Sequence, residues 1–94
     1  MYELIIPNSV EKDIKKLPSQ VQKLLADEYL PQIQNAPEQG KFLHGQFRNF
    51  RSFRLSDQGV EYRVIYKVGK ESNSVVLIMV GARENFYDRL RRRT

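Results

Sequence analysis

Three arginines in the second half of the chain carry most of its potential for chemistry. Arg54 and Arg63 lie within two segments that resemble strands, and Arg83 follows a third. A guanidinium group stays protonated in proteins and presents its N–H donors as a planar fork, which suits phosphate binding and stabilisation of negative charge. It cannot act as a base. Tyr87 adds a nearby phenol that could take a proton or stack on a nucleobase.

Other kinds of site lack the residues they need. The chain has one histidine, His44, no cysteine and no tight group of acidic residues. A zinc site or a two-metal nuclease site would therefore have too few ligands. The five glycines are scattered and form no phosphate-binding loop. We expect no metal and no cofactor, and we expect His44 to be structural or to contact an RNA backbone.

The charge is distributed unevenly along the chain. Residues 1–40 contain no arginine and have a net charge of −2, whereas residues 41–94 have a net charge of +7. Such a skew towards arginine favours a nucleic-acid partner. The alternative is a solvated basic surface that binds nothing. No apolar run approaches the roughly 20 residues of a membrane span, and the start lacks the basic region of a signal peptide, so we expect a cytoplasmic protein.

The first forty residues predict a strand and a helical hairpin. Residues 2–6 are predicted to form a strand that Pro7 ends. Asn8 offers an N-cap for a first helix, with Glu11 as its capping-box partner. After the break at Pro18 and Ser19, Ser19 and Gln22 offer a second capping box, and Pro31 interrupts the helix that follows.

From Phe50 onwards the apolar period changes from that of a helix to that of a strand. Phe53 and Leu55 alternate with Ser52 and Arg54, residues 56–59 predict a turn, and residues 62–66 predict a second strand. Residues 75–80 are almost continuously apolar, as in a strand covered on both faces. Residues 84–90 predict a final helix. The order β-α-α-β-β-β-α indicates one α+β domain over residues 1–94, with a small antiparallel sheet and a helical hairpin on one face.

Four segments together resemble the RelE/ParE toxin superfamily. They are Leu43-His44-Gly45, Phe50-Arg51-Ser52-Phe53-Arg54-Leu55, Glu61-Tyr62-Arg63-Val64-Ile65-Tyr66 and Val80-Gly81-Ala82-Arg83-Glu84-Asn85-Phe86-Tyr87. The resemblance extends from about residue 2 to residue 87, and its most specific part is the Tyr-Arg-Val-Ile-Tyr strand. The Gly-x-Arg-Glu-x-x-Tyr ending is similar to the RelE branch, which cleaves messenger RNA.

The resemblance implies a toxin of a type II toxin–antitoxin system that acts as a ribosome-dependent endoribonuclease. In RelE-type toxins the ribose 2′-hydroxyl attacks the adjacent phosphate in the ribosomal A site. By position, Arg63 and Arg83 would hold that phosphate, Arg54 would occupy a basic position, and Tyr87 would be the base or a stacking platform. The partners implied are the ribosome with its messenger RNA and a cognate antitoxin, without a membrane.

Further contacts to RNA are expected from residues around this set. They are Lys41, Arg48, Arg51, Ser52, Arg89 and Arg91. Ser52 stands where RelE has a lysine, and the interval from Arg83 to Tyr87 is shorter than in RelE. Arg89 and Arg91 could equally belong to a frayed basic tail. The alternatives for the whole chain are a ParE-like inhibitor of DNA gyrase and an RNA-binding domain without activity.

Overall fold

A computed structural model of the protein describes residues 1–94 and contains five strands and four α-helices. The strands are β1 (Glu3–Ile5), β2 (Lys41–Phe42), β3 (Arg51–Asp57), β4 (Val60–Gly69) and β5 (Ser74–Ala82). The helices are α1 (Asn8–Lys15), α2 (Ser19–Leu24), α3 (Leu30–Asn35) and α4 (Phe86–Arg93). The α+β class is confirmed, and the short strand β2 is an addition. No helix has the length and apolar composition that crossing a bilayer requires.

The strands form one sheet in the order β1-β5-β4-β3-β2. Strands β2 to β5 pair antiparallel, whereas β1 pairs parallel with β5. The sheet is therefore mixed rather than wholly antiparallel. Parallel neighbours require a long connection, which the helical hairpin and the central strands provide here.

Each face of the sheet has its own hydrophobic core. Helices α1 to α3 cover one face, where Val64, Tyr66 and Leu77 are fully buried. Helix α4 and the connector between β2 and β3 cover the other face around Ile65 and Met79. Because side chains alternate along a strand, β4 supplies both cores, and its Arg63 must lie on the α4 face.

The predicted capping boxes do not form. The residues that precede α1 and α2 are Pro7 and Pro18, and neither helix has a side-chain cap. Asn8 and Ser19 are already the first helical residues, so their side chains are past the capping position. The Gln22 amide instead donates to the carbonyl oxygen of Leu17 at 2.9 Å, where it supports the end of α1.

The expected interruption at Pro31 is a local change of helical pitch. Residues Leu25–Tyr29 form a π-helical turn between α2 and α3. Proline has no N–H to donate to the preceding turn, so the ladder widens there. The extra residue in the turn brings Leu30 and Ile33 back to the buried face, and Leu30 is only 7% exposed.

Two boundaries near the candidate arginines also differ from prediction. Strand β3 extends to Asp57, and the hairpin turn contains only Gln58 and Gly59, both with positive φ. This geometry matches the twist of the flanking strands. Helix α4 begins at Phe86 rather than residue 84, because Asn85 takes a left-handed conformation with φ 52°. That turn directs Phe86 into the core.

Candidate active site

Strand register places Arg54 and Arg63 side by side on the α4 face of the sheet. Arg54 pairs with Arg63 across β3 and β4, and Arg63 pairs in turn with Gly81 of β5. Ser52 lies two residues before Arg54 on the same face and pairs with Lys41 of β2. The alternation that buries the other side of β4 therefore gathers these polar side chains on one surface.

Arg63 is held in place by one carboxylate and one phenol. Its Nε donates to Glu61 Oε2 at 3.0 Å, and its Nη1 donates to the Tyr87 hydroxyl at 3.1 Å. The hydrogen bond from Arg63 holds the pKa of Glu61 below its usual value. Desolvation opposes this effect, whereas the charges of Arg63, Arg54 and Arg83 act in the same direction as the hydrogen bond. Arg63 is thus oriented before any ligand arrives.

Two adjoining hollows open on either side of Arg63 and Tyr87. The hollow of about 260 Å³ towards β2, called here the β2-side hollow, is lined by residues 41–44 together with Ser52, Arg54, Arg63 and Tyr87. The hollow of about 310 Å³ towards the final helix, called here the α4-side hollow, is lined by Arg63, Arg83 and residues 85–88. Arg63 and Tyr87 line both hollows, Arg54 lines the first and Arg83 lines the second. All four residues predicted to be catalytic therefore lie around one site.

The cations of this site are largely free of partners within the protein. The three ion pairs of the molecule join Arg63 to Glu61, Arg91 to Asp88 and Arg93 to Asp13. Neither Arg54 nor Arg83 is paired, and both side chains are exposed. The Ser52 hydroxyl is buried and has no hydrogen-bond partner. The surface can therefore offer donors to an anion.

Four of the six predicted RNA contacts lie away from the two hollows. Arg51 is on the opposite face, where it donates to the carbonyl oxygen of Gly40 at 2.8 Å and stacks on Phe42. Arg89 donates to the carbonyl oxygen of Ala82 at 2.6 Å, and Arg91 pairs with Asp88. Arg48 is exposed and lines neither hollow. Only Lys41 and Ser52 line the candidate site.

Two further residues belong to the site: Glu61, to which the sequence assigned no role, and His44, which was expected to be structural or to contact an RNA backbone. Glu61 could have been found, because residues i and i+2 of a strand share a face and Glu61 stands two before Arg63. His44 lines the β2-side hollow together with Arg54 and Tyr87. Its sequence neighbours gave no sign of this, because β2 is only two residues long and its pairing with β3 is not visible in the pattern. No group of three or more metal-ligating side chains comes together in the molecule.

Comparisons with known proteins agree with this architecture. Residues 4–91 match the family model described as a ParE-like toxin of type II bacterial toxin–antitoxin systems. Comparison of the sequence with curated proteins gives no match. Among solved structures, the isolated Escherichia coli RelE toxin is 27% identical over 98% of each chain, with a TM-score of 0.71.

Two toxin–antitoxin complexes contain similar chains. A chain of the intact E. coli RelBE complex is 30% identical, with a TM-score of 0.72, over 89% of this chain and 99% of that one. A chain of the Mycobacterium tuberculosis RelBE2 complex is 23% identical, with a TM-score of 0.74, over 87% of this chain and 98% of that one, and it shares the fold.

The chain therefore belongs to the ParE-like toxins of type II bacterial toxin–antitoxin systems, within the RelE/ParE superfamily. Its similarity to the E. coli RelE structures makes it a RelE-like toxin of that superfamily. The resemblance of its sequence motifs to this superfamily is thereby confirmed.

Proposed function

We propose that this toxin cleaves messenger RNA in the ribosomal A site, without a metal ion, through attack of a ribose 2′-hydroxyl on the adjacent phosphate. The observation that carries the proposal is the convergence of Arg54, Arg63 and Arg83 around Tyr87, on one surface and within two adjoining hollows. The set combines phosphate-binding cations with a group that can carry a proton.

In this mechanism the arginines act on the phosphate. Arg63 and Arg83, which line the α4-side hollow together, hold the non-bridging oxygens and stabilise the charge that accumulates as the 2′-oxygen bonds to phosphorus. A guanidinium group at about 6 Å from a unit of negative charge contributes about 2–3 kcal/mol at an effective dielectric constant near 20. Arg54, in register with Arg63, adds a third positive charge from the β2 side.

Tyr87 is placed to contact the reacting nucleotide directly. Tyr87 is 43% exposed, and its hydroxyl accepts the hydrogen bond from Arg63. The phenol could move a proton, and the ring could stack on the base beside the cleaved bond. Lys41 extends the donor surface along the β2-side hollow, where it would contact the codon. Ser52 lines the same hollow, but its hydroxyl is buried and is not part of that surface.

The openness of the site supports a dependence on the ribosome. The arginines and Tyr87 line surface hollows rather than a deep cleft, so a free RNA strand would be held in many orientations. In-line attack requires the 2′-oxygen, the phosphorus and the leaving oxygen to be aligned, and such alignment contributes several kcal/mol to a rate. A decoding ribosome presents the codon in one conformation, which would supply that alignment.

The same basic surface would be the target of a cognate antitoxin. Similar chains are found in the E. coli and M. tuberculosis RelBE complexes. An acidic or amphipathic segment that orders as it binds would complement the unpaired Arg54 and Arg83. In a complex of the two proteins, protection of Arg63 or its neighbours from solvent is expected, and free exposure of all of them would contradict direct occlusion.

Primer extension on messages from a translation extract tests the proposed activity. The wild type is expected to produce cuts within A-site codons, whereas Arg63→Ala and Arg83→Ala are expected to leave messages intact. Arg92→Ala, which removes an exposed arginine from the end of α4, is the matched control and should cleave as the wild type does. Equal cleavage by Arg63→Ala and Arg83→Ala would contradict the mechanism. Intact messages with wild-type protein, accompanied by double-strand breaks in DNA, would favour inhibition of gyrase.

A further inference from the structure

Cleavage by a 2′-hydroxyl leaves two protons to be moved. One leaves the attacking 2′-oxygen, and another must reach the 5′-oxygen of the departing nucleotide. The arginines of the site stay protonated and cannot take a proton. Glu61 is tied to Arg63, and its lowered pKa makes it a weak base. Three other titratable side chains line the β2-side hollow: Lys41 and His44 come from β2 and the segment after it, and Tyr87 comes from α4.

His44 and Tyr87 reach this hollow from different elements. His44 follows β2, and its backbone is fixed on both sides because Leu43 and Phe47 are buried in the core beneath it. The Leu43 N–H donates to the carbonyl oxygen of Phe50, and Gly45 turns the chain with φ +64° immediately after His44. Tyr87 comes from the first turn of α4, on the side of β4 and β5.

Arg54 and Arg63 lie on the sheet between these two walls. In-line displacement places the attacking and leaving oxygens on opposite sides of phosphorus. A proton acceptor on one wall and a proton donor on the other therefore match the geometry of the reaction. The phosphate would lie at Arg63, which lines both hollows, with Arg54 on its β2 side and Arg83 on its α4 side.

The chemistry of an imidazole and of a phenol indicates which of His44 and Tyr87 accepts a proton and which donates one. A free imidazole is largely unprotonated at neutral pH, whereas a free phenol is largely protonated. In addition, Arg63 donates a hydrogen bond to the Tyr87 oxygen at 3.1 Å, a contact that strengthens as negative charge develops on that oxygen. Tyr87 is therefore better suited to release a proton than to take one.

We propose that His44 is the general base and Tyr87 the general acid of the cleavage, an assignment that rests on the proposed nuclease function. His44 takes the proton of the 2′-hydroxyl as the bond from the 2′-oxygen to phosphorus forms. The bond from phosphorus to the 5′-oxygen breaks, and that oxygen receives the Tyr87 proton. The products are a 2′,3′-cyclic phosphate and a free 5′-hydroxyl. Transfer of a proton from imidazolium to phenolate, through water, restores both groups.

The pH dependence of single-turnover cleavage on programmed ribosomes tests the role of His44. The charged and titratable groups that face His44 in the hollow are Lys41, Arg54, Arg63 and Tyr87. Because a base must be unprotonated, the wild-type rate should rise as the pH is raised from acid towards neutral. His44→Ala should lose roughly 100-fold or more in rate and should also lose this rise. Added imidazole should restore both in part.

Controls separate this role from a structural one. His44 is exposed, and its side chain makes no hydrogen bond within the protein, so His44→Ala should melt as the wild type does. Lys23→Ala, an exposed change on α2, should alter neither the rate nor its pH dependence. A His44→Ala variant that cleaves as fast as the wild type, with the same rise, would overturn the assignment.

A substrate with sulfur in place of the departing 5′-oxygen distinguishes acid from base. A thiolate leaves without being protonated, so loss of the general acid should no longer matter. Tyr87→Phe should then cleave at close to the wild-type rate, whereas His44→Ala should remain slow. Recovery of His44→Ala but not of Tyr87→Phe would reverse the roles and overturn the assignment. If the wild type cleaves neither the ordinary message nor the sulfur-substituted one, the proposed nuclease function itself would be overturned.

Discussion

Arginines in this protein serve two different purposes, and their surroundings decide which. Arg54 and Arg83 face open hollows and have no partner within the protein, and Arg63 is oriented towards the same space. Arg89 and Arg93, only a few residues further along the chain, have their guanidinium groups bound to backbone carbonyls of β5 or to Asp13. The difference shows that a cluster of arginines in a sequence says little until the acceptors around each one are known.

The C-terminal arginines fasten α4 to the edge of the sheet. Strand β5 pairs with β1 only over residues 74–76, so the remainder of that edge has free backbone groups. Asp13 accepts from the Val80 N–H at 3.1 Å and binds Arg93 through both carboxylate oxygens. Arg93 also donates to the carbonyl oxygen of Ile78 at 3.1 Å. The hydrogen bond to Asp13 raises the pKa of Arg93 above its already high usual value, in spite of desolvation.

The largest loss of cleavage is expected from Arg63→Ala. This variant should distinguish the arginines of the site most clearly from those that bind α4 to the sheet. Cleavage should fall roughly 100- to 1,000-fold because the variant loses a preorganised donor to the transition state. The melting temperature should change little, since the side chain stabilises no buried segment. Single-turnover rates and thermal melts measure the two effects. If Arg63→Ala unfolds readily but retains the wild-type cleavage rate, Arg63 would have a structural role like that of Arg89 and Arg93.

The opposite pattern is expected for Asp13→Ala. The change removes the partner of Arg93 and leaves the Val80 N–H, in a residue only 2% exposed, without an acceptor. The free energy of unfolding should fall by about 2 kcal/mol. Below the melting transition, cleavage should match that of the wild type. Urea denaturation measures the loss, with the exposed neighbour Lys12→Ala as the control that should unfold as the wild type does.

A smaller change in stability is expected from Tyr66→Phe on the face opposite the site. The Tyr66 hydroxyl donates to the carbonyl oxygen of Pro37 at 2.6 Å and accepts from the Gly40 N–H at 3.1 Å. A β-carbon at Gly40 would overlap this hydroxyl, so the segment before β2 is built against it. Loss of the hydroxyl should cost about 1–2 kcal/mol. Unchanged stability would show that this segment is held by other contacts.

Tyr66 also predicts a dependence on alkaline pH. Burial raises the pKa of its hydroxyl above the usual value of 10.0, and the hydrogen bond from Gly40 opposes this only in part. The unfolded chain therefore loses this proton at a lower pH than the folded protein does. The stabilisation is present below pH 10 and should be lost as the pH rises further. Melting temperatures between pH 8 and pH 11 should fall less steeply for Tyr66→Phe than for the wild type.

The smallest effect is expected at acidic pH from Glu61. Because its pKa is lowered from 4.5 in the folded protein, its contribution to stability is present above that pH and is lost as the pH falls. Glu61→Gln should remove this part of the acid dependence and should slow cleavage only modestly, since Tyr87 still orients Arg63. Thermal melts between pH 3 and pH 6 measure this acid dependence of stability. A steeper acid dependence in Glu61→Gln would contradict the assigned ion pair.

Periodicity predicted the fold well because it reports burial directly. The change of period after Phe50 located the strands that carry Arg54 and Arg63, and the resemblance of the Gly-x-Arg-Glu-x-x-Tyr ending to the RelE branch singled out Arg83 and Tyr87. Capping was not predictable in the same way, since Pro7 and Pro18 occupy the positions that the polar residues were expected to take. The place of His44 beside Arg54 and Tyr87 could not be predicted, because it depends on pairing between β2 and β3, a contact between distant segments. For the same reason, Arg51 and Arg89 could not be recognised as structural from their charge.

The requirement for a 2′-hydroxyl tests the central claim most directly. Ribosomes carrying a message with a single 2′-deoxyribose at the A-site position of attack can be compared with ribosomes carrying the all-ribose message. The toxin should cut the ribose message and leave the deoxyribose message whole. Equal cutting of both messages at that position would contradict the account.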